Sequence, residues 1–374
     1  MSAYTISGFV APEFEPVREV FEQNFEEGVE LGAGFSALID GEIVVDLQGG
    51  WSDKARSAPW DARTLVPVFS TTKAIAALVI AMLVDRGLID YDAPLANYWP
   101  EFGAEGKDKV TVAEALSHQG GVAGFLEPID PALWLDPPAL AEKLAALKPM
   151  WPLGEGAGYH PLSWGYIAGE LVQRVAGRSL GTILREEVCA PLDIDFWIGT
   201  PASEHDRCAD LKRPSALADL GEITEIKRAA FLQKWSAPNR GGAIWRETEI
   251  PSANGHGTAL SVAQLYGAYA HKGRLFGKSL FSEETWQALT KSRVYGPNKV
   301  LPFTLSFGAG PMRNSERAFG PNPDTLGHSG WGGSAAFGDP DRGLSAAYVM
   351  NQQSNILLGD PRSKRLFEAL YGCL

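Results

Sequence analysis

Cysteine is scarce in this chain of 374 residues: Cys189, Cys208 and Cys373 are the whole set, an odd number with no C-x-x-C spacing. A disulfide framework and a thiolate zinc site are thereby excluded, and the three are expected as free thiols. Positive charge is also short, with 33 Lys and Arg against 45 Asp and Glu, a net charge of −12. No basic stripe with interleaved aromatics occurs, so neither nucleic acid nor an anionic membrane is an expected partner. The six histidines show neither H-E-x-x-H nor another metal spacing, and no metal or cofactor is expected. No apolar run reaches the roughly 18 residues of a membrane span. The first residues, Met-Ser-Ala-Tyr-Thr-Ile-Ser-Gly, lack the charged and apolar regions of a secretory signal, so a cytoplasmic location is expected. Internal repeats and low-complexity tracts are absent.

What is present is core material. Hydrophobic residues make up 45% of the chain, enough for more than one layered unit. Residues 74–84 are apolar almost without a break, which leaves no polar face for water and predicts a helix inside the molecule, stopped by Gly87. At its entry stand Ser70 and Lys73, whose spacing of three puts their Cβ atoms roughly 5–6 Å apart on one helix face. This is the S-x-x-K pattern of serine acyl-transfer enzymes. A chain of this length holds roughly one such pattern by chance, so the context has to carry the reading. A lysine with an ordinary pKa of about 10.4 is protonated at neutral pH; burial beside an apolar helix would lower it toward a base.

An amphipathic helix is predicted within residues 13–27, from the spacing of Phe14, Val17, Val20, Phe21 and Phe25. Two β-prone runs, 34–39 and 42–47, flank Asp40-Gly41 and predict a hairpin with a type I′ turn. Helices follow near 110–116, 138–147, 164–175 and 260–271, strands near 303–308, 334–339 and 345–350, and a last helix near 365–371. The order predicts an α+β fold, with an antiparallel sheet assembled from both chain ends. The expected division is a sheet domain of residues 1–90 and 255–374 and a mainly helical domain of residues 91–254. Within the latter, 200–253 mixes charges with Pro, Gly and Trp and reads as an irregular excursion, a candidate lid.

A second serine motif, Gly177-Arg178-Ser179-Leu180-Gly181, matches the nucleophile-elbow text G-x-S-x-G. The elbow needs a strand before its turn, whereas here one helix ends at Gly177 and Ser179 suits the N-cap of the next, so Ser70 is preferred. Tyr159 follows a Gly-rich loop and precedes a helix, so its phenol could reach a cleft; a tyrosine packed on the core is the equal alternative. Gly327-His328-Ser329-Gly330-Trp331-Gly332-Gly333-Ser334 is dense in glycine, which suggests an edge strand whose backbone N–H meets an acyl oxygen, or else a tight bulge. His160, beside Tyr159, and His256, in a Gly-rich loop, could border the cleft. Trp134, Trp235, Trp245 and Trp331 are packing residues or cleft walls.

Three segments in one order, Ser70-Thr71-Thr72-Lys73, Tyr159-His160-Pro161 and His328-Ser329-Gly330, make the chain resemble the serine β-lactamase and penicillin-binding-protein superfamily, most of all the family VIII carboxylesterases. Residues 83–94, Leu116-Ser117-His118 and Gly332-Gly333-Ser334 extend the similarity over nearly all of the chain outside 200–250. The resemblance implies a β-lactamase-like fold, Ser70 as acylated nucleophile, and Lys73 and Tyr159 as the proton-handling pair, either of which could be the base. It further implies the backbone of Ser70 and Trp331 as oxyanion donors and His328, Ser329, Gly330 and Trp331 as substrate-binding. Two departures bear on substrate: His328 stands where β-lactamases have lysine, and Pro161 where they have asparagine. Both positions help hold a β-lactam, so the expected substrates are short-chain acyl esters, with weak β-lactam hydrolysis as a side activity. β-Lactamase, D-aminopeptidase or acyltransferase chemistry, or ligand binding without turnover, are the alternatives. The sequence assigns no oligomeric state.

Overall fold

A computed structural model describes residues 4–374. Its centre is a nine-stranded, wholly antiparallel sheet with strands in the spatial order Ile6–Val10, Glu42–Gly50, Gly32–Ile39, Leu344–Met350, Ala335–Asp339, Leu326–Ser329, Met312–Arg313, Thr304–Phe307 and Val294–Pro297. Both ends of the chain build it, as the α+β reading expects. The two halves meet where Leu344–Met350 pairs with Gly32–Ile39. Asp40 and Gly41 both have positive φ, 50° and 85°, which is what a two-residue type I′ hairpin turn requires.

The strand Leu344–Met350 is buried at every position because both sheet faces are covered. Leu344, Ala346, Tyr348 and Met350 share one cluster with Phe21 and Phe25 of the helix Glu15–Glu26 and with Leu366, Phe367 and Leu370 of the helix Pro361–Gly372. Ala347 and Val349 point the other way, into the cluster of the helix Ala259–Ala270 and of the apolar helix Thr72–Asp85. Twelve residues of the latter, Thr72 to Leu83, are buried. Burial of each Leu- or Ile-sized side chain is worth about 1.5–3 kcal/mol, so a charge at Ile80 would break this layer. Tyr266 and Tyr269 donate to the carbonyl oxygens of Thr71 and Ala74 at 2.8 and 2.6 Å and fix the start of the helix against the sheet layer.

Residues 91–254 carry helices and turns, including Val112–Leu116, Pro137–Ala145 and Ser163–Ala176, and one two-residue strand, Phe196–Trp197. Gly177 ends the last of these helices at φ 67°. Two outer strands, Ile6–Val10 and Val294–Pro297, are not anticipated by the pattern. Each pairs on one side only and is largely exposed, so neither has a buried face to write into the sequence. The expected edge strand near residue 328 is corrected: Leu326–Ser329 lies inside the sheet. Only Leu326 and Gly327 pair with Met312–Arg313, however, so the chain from His328 onward leaves the sheet on that side with an open backbone edge. Among the described residues, no helix is long and apolar enough to cross a membrane.

Candidate active site

A 3₁₀ turn, Phe69–Thr71, leads into the buried helix. Phe69 has φ 47°, a left-handed conformation that a bulky side chain adopts only when its surroundings impose it. Its ring packs 6.4 Å from that of Trp245. Ser70 comes next, half-buried, at the positive end of the helix dipole. The turn is tied to the segment after residue 328 by Ser334 Oγ, which donates to Val68 O at 2.8 Å and lies 3.2 Å from Thr71 Oγ1. Gly330 permits this approach, since a Cβ there would fall 2.1 Å from Ser334 Oγ and 2.3 Å from Val68 O.

Lys73 is fully buried. Its Nζ lies 2.8 Å from Pro161 O, 3.1 Å from Ser252 O and 3.2 Å from Ser70 Oγ. Carbonyl oxygens only accept, so two N–H groups are committed to them and the third direction points at the serine hydroxyl. No carboxylate meets this amine among the described residues, and burial lowers its pKa well below the ordinary lysine value. A neutral amine therefore fits the site, with its lone pair facing the Ser70 O–H. Burial alone does not mark such a group: Lys107 is also shielded from solvent, on the carbonyls of Ala104 and Leu147, but no serine hydroxyl stands beside it.

Tyr159 reaches the same point from the loop before the helix Ser163–Ala176. Its ring centroid is 4.8 Å from Lys73 Nζ. Burial raises the phenol pKa and the nearby Ser70 hydroxyl opposes that rise only in part, so the Tyr159 hydroxyl stays protonated beside Ser70. Asn298 Oδ1 accepts from Tyr159 N at 3.0 Å and anchors the loop. The ring is walled by His118 at 4.6 Å, Phe307 at 6.2 Å and His328 at 6.0 Å. All three neighbouring imidazoles are held neutral, chiefly by burial: His118 lies well below the usual range, His160 is lowered to about 4 and His328 to about 3. His160 accepts from Val122 N and pairs with Gly158 O, so it braces the loop rather than facing the cleft.

The glycine-rich segment turns sharply after Ser329. Trp331 N–H has no acceptor among the described residues and lies in the loop clamped to the Ser70 turn. Behind it Arg362 donates to Gly332 O at 3.0 Å, while its guanidinium is paired with Asp360 at 2.9 Å and Glu30 at 3.2 Å. Gly333, at φ 118°, leaves no room for a side chain, because a Cβ would meet both Arg362 and Asp360 at 2.5 Å.

Ser70 opens into a tight cavity of about 50 Å³, and a wider one of about 640 Å³ lies outside it; Phe69, Phe231, Arg240, Trp245 and Trp331 line both. Of the four residues expected to bind substrate, only Trp331 lines these cavities. His328 is turned inward, buried, with Nδ1 2.7 Å from Ser329 O. His256 does border the wider cavity. Trp134 and Trp235 pack together, with Trp134 Nε1 donating to Trp235 O at 2.7 Å. Ser179 is an N-cap that accepts from Thr182 N and donates to Glu249 at 2.6 Å, in keeping with its rejection as a nucleophile. Sequence reasoning missed Phe231, Arg240 and Asn298. The first two belong to the 200–253 excursion, whose irregular composition was the only signal.

Comparison with known proteins places this geometry in context. The profile of the family described as Beta-lactamase matches residues 18–371. The chain is 36% identical over 366 residues to the esterase/beta-lactamase LipL of Mycobacterium tuberculosis, covering 93% of this chain and 83% of that protein. Among solved structures, a penicillin-binding protein homolog from Caulobacter crescentus superposes with a TM-score of 0.97 at 54% identity, over 99% of this chain and 100% of the other. A family VIII carboxylesterase does so with a TM-score of 0.92 at 41% identity, again over 99% and 100%.

Proposed function

The chain belongs to the beta-lactamase family, and on that premise we propose that it is a cytoplasmic serine esterase that hydrolyses short-chain acyl esters through an acyl-enzyme on Ser70. The observation that carries this reading is a buried lysine without a carboxylate partner, 3.2 Å from a serine that opens into a cavity. Lys73, neutral, takes the Ser70 proton as the Oγ–C bond forms. The carbonyl electrons move onto the oxygen, which the N–H groups of Ser70 and Trp331 receive; each such donor is worth about 10²–10³ in rate. As the C–O bond to the alcohol breaks, the proton passes from Lys73 to the leaving oxygen through the Tyr159 hydroxyl. Water then attacks the acyl-enzyme along the reverse route.

The raised pKa of Tyr159 supports this division of labour, because a phenol that holds its proton is a relay rather than the resting base. The inner cavity of about 50 Å³ supports short acyl groups. The neutral, inward His328 and Pro161, whose side chain has no donor, leave a β-lactam without two of its usual holds, so hydrolysis of such amides is a weak side reaction. LipL carries both activities in its name and a family VIII carboxylesterase shares the fold. The test is incubation with p-nitrophenyl acetate and butyrate: wild type gives turnover and an acyl adduct on Ser70, seen by mass spectrometry. Turnover retained in Ser70→Ala would overturn the assignment, and a β-lactam turned over faster than the esters would reverse the substrate order.

A further inference from the structure

The protein as a whole is acidic, yet the wider cavity outside Ser70 is not. Lys54, Arg213, Arg240 and Arg246 line it, against one carboxylate, Asp210. None of the four cations is ion-paired among the described residues. Against a net charge of −12, this concentrates positive potential in one concave place, which attracts the anions that the rest of the surface repels.

Arg240 is the best placed. Its guanidinium lies 5.8 Å from the ring centroid of Phe69, the residue before the nucleophile, and 5.8 Å from that of Trp331. It lines the inner cavity as well as the outer one, so whatever extends outward from Ser70 passes it. The side chain is accessible to solvent but enclosed by the protein mass around the cleft. That enclosure first, and the charge of Arg213 second, lower its pKa to about 10, which leaves it a cation at neutral pH. A guanidinium 5.8 Å from each of two aromatic rings, with no acid paired to it among the described residues, has donors to spare, and their planar fork matches a carboxylate between aromatic walls.

We propose that the outer cleft is an anion subsite, in which Arg240, flanked by Arg213 and Arg246, binds a carboxylate carried by the alcohol portion of the ester. The inner cavity holds the short acyl group and the outer one the larger alcohol. This assignment rests on the acyl-enzyme reading above and names its substrate class: short-chain acyl esters of carboxylated, preferably aromatic, alcohols.

The probes are 3-carboxyphenyl acetate and its neutral isostere 3-carbamoylphenyl acetate, with phenyl acetate as reference. Wild type is expected to favour the carboxylate over the amide by about tenfold in kcat/KM, mainly through KM, with the preference shrinking as salt is added. In Arg240→Met the ratio of the two falls toward one, Arg240→Lys recovers part of it, and Arg213→Met lowers it less. The ratio is the readout, so a general loss of activity in a variant does not imitate the effect. Equal use of the two esters by wild type, or a preference that survives in Arg240→Met, overturns the subsite while phenyl acetate turnover leaves the esterase reading standing. Failure to hydrolyse any of the three removes both.

Discussion

Two buried cations about the same cleft are treated in opposite ways. Arg362 sits between Glu30 and Asp360, with Tyr348 donating to Glu30. Burial works against its charge, but Tyr348, Glu30 and Asp360 outweigh it and its pKa is raised. Lys73 is just as deep and meets carbonyls, a serine and the Tyr159 ring but no carboxylate, so its burial prevails and its pKa falls. One cation holds its proton firmly and braces the Gly332 turn; the other holds its proton weakly and faces Ser70. Depth lowers a buried amine's pKa only where no carboxylate offsets it.

That contrast can be broken from either side. The largest expected effect is on Lys73: Lys73→Met should lower kcat for p-nitrophenyl acetate by roughly 10³–10⁴-fold, with the circular-dichroism spectrum unchanged. Retained turnover would mean that the base is elsewhere. Arg362→Met strands two buried carboxylates and should cost about 3–5 kcal/mol of stability in urea unfolding, whereas a loss under 1 kcal/mol would show the pairs to be dispensable. For Tyr159→Phe, which removes the relay and leaves the ring packing, a drop of about 10²-fold in kcat with KM little changed is expected. Wild-type turnover there would return Tyr159 to a packing role.

The smallest effects are in pH dependence, and the two groups have opposite signs. Lys73 has a lowered pKa when folded, so between that value and about 10.4 the unfolded chain binds more protons and stability climbs with pH. Glu30 has a pKa raised to about 7, chiefly by burial, so its contribution is full below the ordinary carboxylate range and is lost as pH rises through about 7. Thermal melts from pH 5 to 9.5 should show the alkaline gain of wild type missing in Lys73→Met and the loss near pH 7 missing in Glu30→Gln. Identical profiles for all three would contradict both assignments. Activity should follow Lys73 alone, falling as pH drops through its lowered pKa.

Much of this was legible from local pattern. The 74–84 run predicts a buried helix because no face of it is polar. Ser70 and Lys73 meet because three residues is nearly one helical turn, and Asp40-Gly41 turns because both adopt positive φ. The exposed edge strands were not legible, since a strand without a buried face leaves no alternation to read. Nor were Phe231 and Arg240, which come to the cleft along an irregular path with no period behind it.

By itself, then, the sequence determined an antiparallel sheet closed from both chain ends, a buried helix, and a serine and lysine at its mouth, all consequences of short-range spacing and of which residues water excludes. Only the tertiary structure decided how weakly Lys73 holds its proton, which way His328 faces and where Arg240 stands. A pKa depends on every group packed around a charge, and those groups, Pro161, Ser252 and Tyr159 beside Lys73, come from segments far apart in the chain.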